Sequence, residues 1–192
     1  MRKAEISRKT GETDITVKID LDGSGKADIS TGIGFFDHML TALTVHSGFD
    51  ITVKAVGDLY VDSHHTVEDT GIVLGQAFKE AIGDRKGIER YGSAYIPMDE
   101  ALGFASLDIS NRPFLVFKAD FHDDRAGNFD TCLTEEFFRA FAFNCGITLH
   151  VIEEYGKNDH HIIEAMFKAV AHALKTAASV NGGQILSTKG VL

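Results

Sequence analysis

Six side chains able to hold a metal ion stand in two matched clusters. His64-His65-Thr66-Val67-Glu68 recurs as His160-His161-Ile162-Ile163-Glu164, each a histidine pair with a glutamate four residues after the first histidine. On a helix, positions i and i+4 share a face, while i+1 is turned by about 100°. His64 with Glu68, and His160 with Glu164, can therefore each grip one ion. His65 and His161 point elsewhere and must serve a different ion. If the two copies face each other, each metal takes a His/Glu pair from one copy and the odd histidine from the other. A single cluster is compatible with a solvated helix start, where acidic residues are favoured. Two clusters at equivalent positions point instead to a two-metal site in a duplicated fold.

The elements around the clusters repeat as well. Val67, Gly71, Leu74 and Phe78 follow the first cluster at helical spacing, and Ile163, Phe167, Val170 and Leu174 follow the second in the same way. Ahead of each cluster, apolar residues alternate as in a half-buried strand: Phe49, Ile51 and Val53, then Ile147, Leu149 and Val151. A helical stretch precedes each strand, over 36–43 and 135–141, and ends at Gly48 and Gly146. The first copy has two more residues between its glycine and its histidine pair, an insertion expected in a hairpin turn near Gly57-Asp58. The alignment supplies a fourth ligand for each ion, because His38 and Glu136 fall in the first turns of equivalent helices. One metal is assigned to His38, His65, His160 and Glu164. The other is assigned to His64, Glu68, Glu136 and His161. Imidazole with carboxylate suits Mn²⁺, Fe²⁺ or Zn²⁺, and the lack of thiolate weakens the case for zinc.

Earlier strands are expected at Ile15, Val17, Ile19 and Leu21, at Ala105, Leu107 and Ile109, and from Phe114 to Phe117. Each half then reads β-β-α-β-β-α or close to it. The fold class is α+β, an internal duplication whose halves are each a small, mainly antiparallel sheet with two helices. Residues 84–98 join the halves and carry no disordered-linker composition, so the halves should pack as one unit. The expected organisation is a single domain of 192 residues with repeats over about 1–90 and 91–179. From Val180 onward the chain reads as a mobile tail or a lid.

Composition excludes some classes. A net charge of −9 argues against wholesale nucleic-acid binding and would not repel a divalent cation. Cys132 and Cys145 lack metal-type spacing and read as reduced thiols. With no leader-like start and no apolar run approaching a membrane span, a soluble cytoplasmic protein with no membrane partner is expected.

Several longer segments carry a family likeness: 32–40 (GIGFFDHML), 46–48 (HSG), 62–69 (DSHHTVED), 85–88 (RKGI), 98–102 (MDEAL), 109–113 (ISNRP), 158–165 (NDHHIIEA) and 187–191 (STKGV). Together they make the chain resemble the imidazoleglycerol-phosphate dehydratase family over nearly its whole length. The resemblance implies the ribosomal protein S5 domain 2-like version of the α+β fold. It also implies a lyase of histidine biosynthesis with two Mn²⁺ per active site, converting imidazole glycerol phosphate to imidazole acetol phosphate. A homo-oligomer of about 24 subunits, assembled from trimers with sites at their interfaces, comes with it.

By the same resemblance, Glu12 lies over the substrate as a proton-transfer group, Glu164 could shuttle a proton, and His46 contacts substrate or a metal-bound water. Arg90, Arg112, Lys168 and Lys189 would hold the phosphate, with Ser187 donating a hydrogen bond. Lys168 stands i+4 from Glu164 and could equally form a helix salt bridge. Asp99 and Glu100 fit a supporting or interface role better than direct catalysis. His150 should face away from the core, and His122 and His172 read as surface residues. The chain departs from the family where Glu136 replaces a common histidine, where Leu186 replaces a proline and where Thr188 replaces a serine.

The chemistry explains the pairing of sites. The substrate's C2 hydrogen is not acidic and hydroxide leaves poorly. An imidazolate can expel the neighbouring hydroxyl to give a diazafulvene; loss of the C2 proton then gives an enol, which becomes the ketone. Two metals, one on each ring nitrogen, would stabilise the imidazolate. A dinuclear metallohydrolase, with its ions about 4 Å apart, and a non-enzymatic metal-binding scaffold are the competing readings.

Overall fold

The computed structural model describes residues 2–182 and Ser187. The first half runs β1 (Lys3–Lys9), β2 (Thr13–Asp20), β3 (Ala27–Ser30), α1 (Gly34–Ser47), β4 (Asp50–Gly57) and α2 (His64–Ile82). The second runs β5 (Tyr91–Met98), β6 (Ala101–Asp108), β7 (Phe114–Lys118), a small hairpin of β8 (Arg125–Ala126) and β9 (Phe129–Asp130), α3 (Leu133–Cys145), β10 (Thr148–Tyr155) and α4 (Asp159–Ala177). The sheets have the orders β1-β2-β4-β3 and β5-β6-β10-β7. In each, two antiparallel pairings are followed by one parallel pairing, β3 with β4 and β7 with β10. The duplicated, mainly antiparallel α+β architecture is thus present in both halves.

Four details differ from the sequence reading. Each half is β-β-β-α-β-α, and the second adds the β8–β9 hairpin. The segment 84–98 is only partly a connector, because Tyr91–Met98 is the edge strand β5. The extra residues of the first copy lie in a strand-to-helix loop between β4 and α2, not in a hairpin turn. Val180 is also tied down: it bridges to Ile88, and Asn181 N–H donates to Gly87 O at 2.8 Å. Of the stretch beyond residue 182, only Ser187 lies within the described residues.

Alternation places the core. Ile15, Val17 and Ile19 on β2, and Leu149 and Val151 on β10, point inward and are buried. The four helices fill the space between the sheets, with α2 on β1, β2 and β4, and α4 on β5, β6 and β10. Helices of opposite halves pair: α1 packs on α4, and α2 on α3. Phe137 of α3 is the hub, with its ring centroid 5.3 Å from Phe36 of α1 and 5.2 Å from Phe167 of α4. This shared Phe core makes the halves one packed unit. Gly48 and Gly146 end α1 and α3 in the left-handed conformation, with φ of 76° and 73°, and so turn the chain into β4 and β10.

Candidate metal centre and substrate site

Both clusters start a helix, and the local sequence dictates this. Asp62 Oδ1 accepts from His64 N–H at 2.8 Å, and Asn158 Oδ1 accepts from His160 N–H at 3.0 Å. Each side chain satisfies a backbone donor that the first turn leaves open. The histidine pairs therefore sit in first turns, with their rings free of the helix ladder.

Along the α1–α4 seam the two helices run in the same direction. His38 meets Glu164, and eight residues further along both helices His46 Nδ1 lies 3.3 Å from His172 Nε2. At the first of these points, His38 Nε2 stands 3.3 Å and His160 Nε2 3.2 Å from Glu164 Oε2. The three ligand atoms lie within 4.8 Å of one another, the one such group among the described residues. Phe35 packs edge-on against the His160 ring at 5.0 Å and fixes its tilt. Glu164 is buried, and its other oxygen accepts from Lys168 Nζ at 2.6 Å. Burial pushes the Glu164 carboxyl up, but the Lys168 ammonium and His38 outweigh it and hold the group below its ordinary value. Two imidazole nitrogens and a carboxylate oxygen facing one point fit a divalent ion.

The odd histidines are placed differently. His65 Nδ1 lies 3.0 Å from Asp58 Oδ2, while its Nε2 faces Glu12 at 3.8 Å. His161 Nδ1 lies 2.8 Å from Glu100 Oε2, while its Nε2 faces Asp99 at 3.8 Å. A carboxylate only accepts, so each Nδ1 carries the proton and each Nε2 keeps its lone pair in the neutral ring. This carboxylate–histidine pairing is how metal-binding imidazoles are oriented. The Asp58 contact raises the His65 pKa. Glu100 is lowered to about 2 by His161 first, then by backbone N–H groups including those of Asn158 and Lys157. Asp58 escaped the sequence reading because Gly57-Asp58 looked like a turn; its place seven residues before His65 carries no periodic signal.

In the first-half cluster, His64 Nε2 and Glu68 Oε2 are 3.8 Å apart and both side chains are 44% exposed. Glu136 is half-buried and lies 3.5 Å from Arg139 Nε. Glu12 is exposed at the tip of the β1–β2 turn. His46 has its pKa lowered, by burial first and then by the Lys168 and His172 charges. His172, expected at the surface, is half-buried against it.

The expected phosphate cations separate. Lys168 stays on Glu164, forming the i,i+4 bridge foreseen as its alternative. Arg90 is buried and grips Asp108 with two nitrogens at 2.7 and 3.0 Å, and Arg112 reaches the same carboxylate at 3.2 Å. Arg90 N–H donates to Ala177 O at the far end of α4, about 20 Å of helix beyond Glu164. Within one chain these arginines and the His38 cluster thus lie at opposite ends of α4. Ser187 is half-buried, and Lys189 lies outside the described residues, as do Leu186 and Thr188.

Fold and site together define a class: a duplicated α+β protein whose helix layer presents histidine and carboxylate groups competent to hold a divalent ion. The imidazoleglycerol-phosphate dehydratase family model matches residues 31–174. The imidazoleglycerol-phosphate dehydratase of Acetivibrio thermocellus is 60% identical over an alignment of 195 positions, covering 100% of this chain and 99% of that protein. The crystal structure of the Staphylococcus aureus imidazoleglycerol-phosphate dehydratase is 43% identical with a TM-score of 0.84, covering 93% of this chain and 99% of that one. The Pyrococcus furiosus structure, in complex with (S)-C348, is 39% identical with a TM-score of 0.86, covering 97% and 100%. The chain belongs to the imidazoleglycerol-phosphate dehydratase family, and is a hydro-lyase. No described helix is long and apolar enough to cross a membrane.

Proposed function

We propose that this chain removes water from imidazole glycerol phosphate to give imidazole acetol phosphate, with two Mn²⁺ per active site. The observation that carries the reading is the convergence of His38, His160 and Glu164 across the α1–α4 seam, in a member of this family. One ion would be held by these three with His65, the other by His64, Glu68, Glu136 and His161. When bound, divalent ions supply positive charge at the two ring nitrogens, which favours ring deprotonation.

The chain's own residues do the rest. Asp58 and Glu100 hold His65 and His161 by Nδ1 and leave each Nε2 to bind. Lys168 keeps Glu164 ionised and acceptor-only. Glu12, exposed beside His65, takes and returns the proton at the hydroxyl-bearing carbons, and Glu164 is the second candidate for that transfer. Arg90 and Arg112 clamp the phosphate with Lys168, Lys189 and Ser187, and His46 lines the substrate pocket.

The site is assembled from several copies of the chain. His65 stands apart from the cluster it would complete, and the arginines lie at the other end of α4. A neighbouring subunit bringing these groups together accounts for both separations, in a homo-oligomer expected to hold about 24 chains in the cytoplasm. Membership of a hydro-lyase family removes the hydrolase and scaffold alternatives. Incubating the purified protein with Mn²⁺ and imidazole glycerol phosphate should yield the ketone product. Metal uptake without that product would reject the reading.

A further inference from the structure

The two ion sites are related by the duplication but are not chemically equal. The position of His38 on α1 is that of Glu136 on α3, and Glu164 on α4 corresponds to Glu68 on α2. Where one site sets a histidine against a glutamate, the other offers two glutamates. The helices that carry them pair in the same way. An added Cβ at Gly71 of α2 would lie 2.8 Å from Phe137 O of α3, and one at Gly75 would lie 2.7 Å from Phe141 O. The helices therefore touch backbone to backbone and run in the same direction, with the turns bearing His64, Glu68 and Glu136 at one shared end. Each carboxylate has one nearby polar partner: the His64 imidazole at 3.8 Å for Glu68, and the Arg139 guanidinium at 3.5 Å for Glu136.

We propose that Glu136 makes the two ions of this enzyme chemically distinguishable: it turns the α2–α3 site into a harder, more anionic site that favours manganese over zinc relative to the α1–α4 site. This rests on the two-ion reading above. With ionised carboxylates and neutral imidazoles, the His38–His160–Glu164 group carries one negative charge and the His64–Glu68–Glu136 group carries two. Each is completed by one further imidazole. Zinc binds imidazole well and outcompetes manganese at most sites, whereas carboxylate oxygen suits manganese. Replacing one imidazole by carboxylate therefore narrows zinc's advantage at one site only.

The test equilibrates the intact oligomer at a series of Mn:Zn ratios, removes free metal and counts both metals per chain by mass spectrometry. The wild type should exchange in two steps, separated on the order of tenfold in the Mn:Zn ratio, the scale on which a changed metal environment shifts affinity. Glu136→His should merge the steps at the higher manganese excess. The reciprocal His38→Glu should merge them at the lower excess, and it keeps the test decisive if the first variant does not fold. A single step in the wild type, or two unchanged steps in both variants, would overturn the inference and leave the proposed function standing. Failure of the wild type to retain either metal would overturn both.

Discussion

At the α1–α4 seam, His38 and His160 each meet the buried Glu164 carboxylate, at 3.3 and 3.2 Å. Across the α2–α3 seam, His64 and Glu68 stand 3.8 Å apart, both half-exposed, and Glu136 leans toward Arg139. The seams descend from one pattern and differ where Glu136 stands in place of a histidine and Ile72 in place of Lys168. A histidine beside a glutamate can share a proton and draw together. Two ionised glutamates repel, and a cation or a shared proton between them offsets that repulsion. One cluster is therefore assembled by the chain itself, and the other, on the two-ion reading proposed above, would close around its ion.

The largest effect expected from breaking this comparison is on turnover. Glu164→Gln and Glu68→Gln should each lower activity by about 10³-fold or more, and each should leave one ion per chain by metal analysis. If Glu68→Gln keeps both ions, the looser cluster is not a site. Gly71→Ala acts on one seam alone. Its Cβ would press on Phe137 O and the Ala140 Cβ at 2.8 and 2.9 Å, so chemical denaturation should show a loss of about 1–3 kcal/mol. Asp58→Asn and Glu100→Gln probe the odd histidines one at a time. Each should weaken a different ion by roughly 10–100-fold in a metal titration, with the other ion unaffected.

The smallest effect is a pH dependence. Glu100 ionises at about 2 in the folded protein, well below the ordinary glutamate value of about 4.3. A depressed carboxylate contributes stability above its unfolded value and loses it as pH falls through the folded value. In metal-free protein, wild type should therefore exceed Glu100→Gln in stability at neutral pH. Urea unfolding should show that margin closing between about pH 4 and pH 2.

Much of this was legible in the chain. The HHxxE spacing, the helical faces after it and the offset from His38 to Glu136 all follow from periodicities of 3.6 and 2. What escaped had weak periodic signal. β1 is an edge strand whose half-buried face is Ala4, Ile6 and the charged Arg8, β3 has four mostly exposed residues, and β5 carries a proline and a glycine that masked it as a connector. Of the partners of the odd histidines, Glu100 was legible in a supporting role, whereas Asp58 escaped, and the pairing of both was out of reach for another reason. Asp58 and Glu100 reach His65 and His161 from loops, where position is set by tertiary packing rather than by repeat. The parallel pairing of α1 with α4 and of α2 with α3 is likewise a property of the packed Phe core around Phe137, which no single segment encodes.

The claim that the site is shared between copies has a direct test in subunit mixing. His65→Ala and Glu164→Gln are each expected to be inactive alone. Dissociating the two variants, mixing them in equal amounts and reassembling with Mn²⁺ should restore about a quarter of wild-type activity, because random assortment pairs an intact His65 with an intact Glu164 from another chain in about that share of sites. Activity that stays at the level of the separate variants, in assemblies shown to be mixed, would contradict a site built from more than one copy.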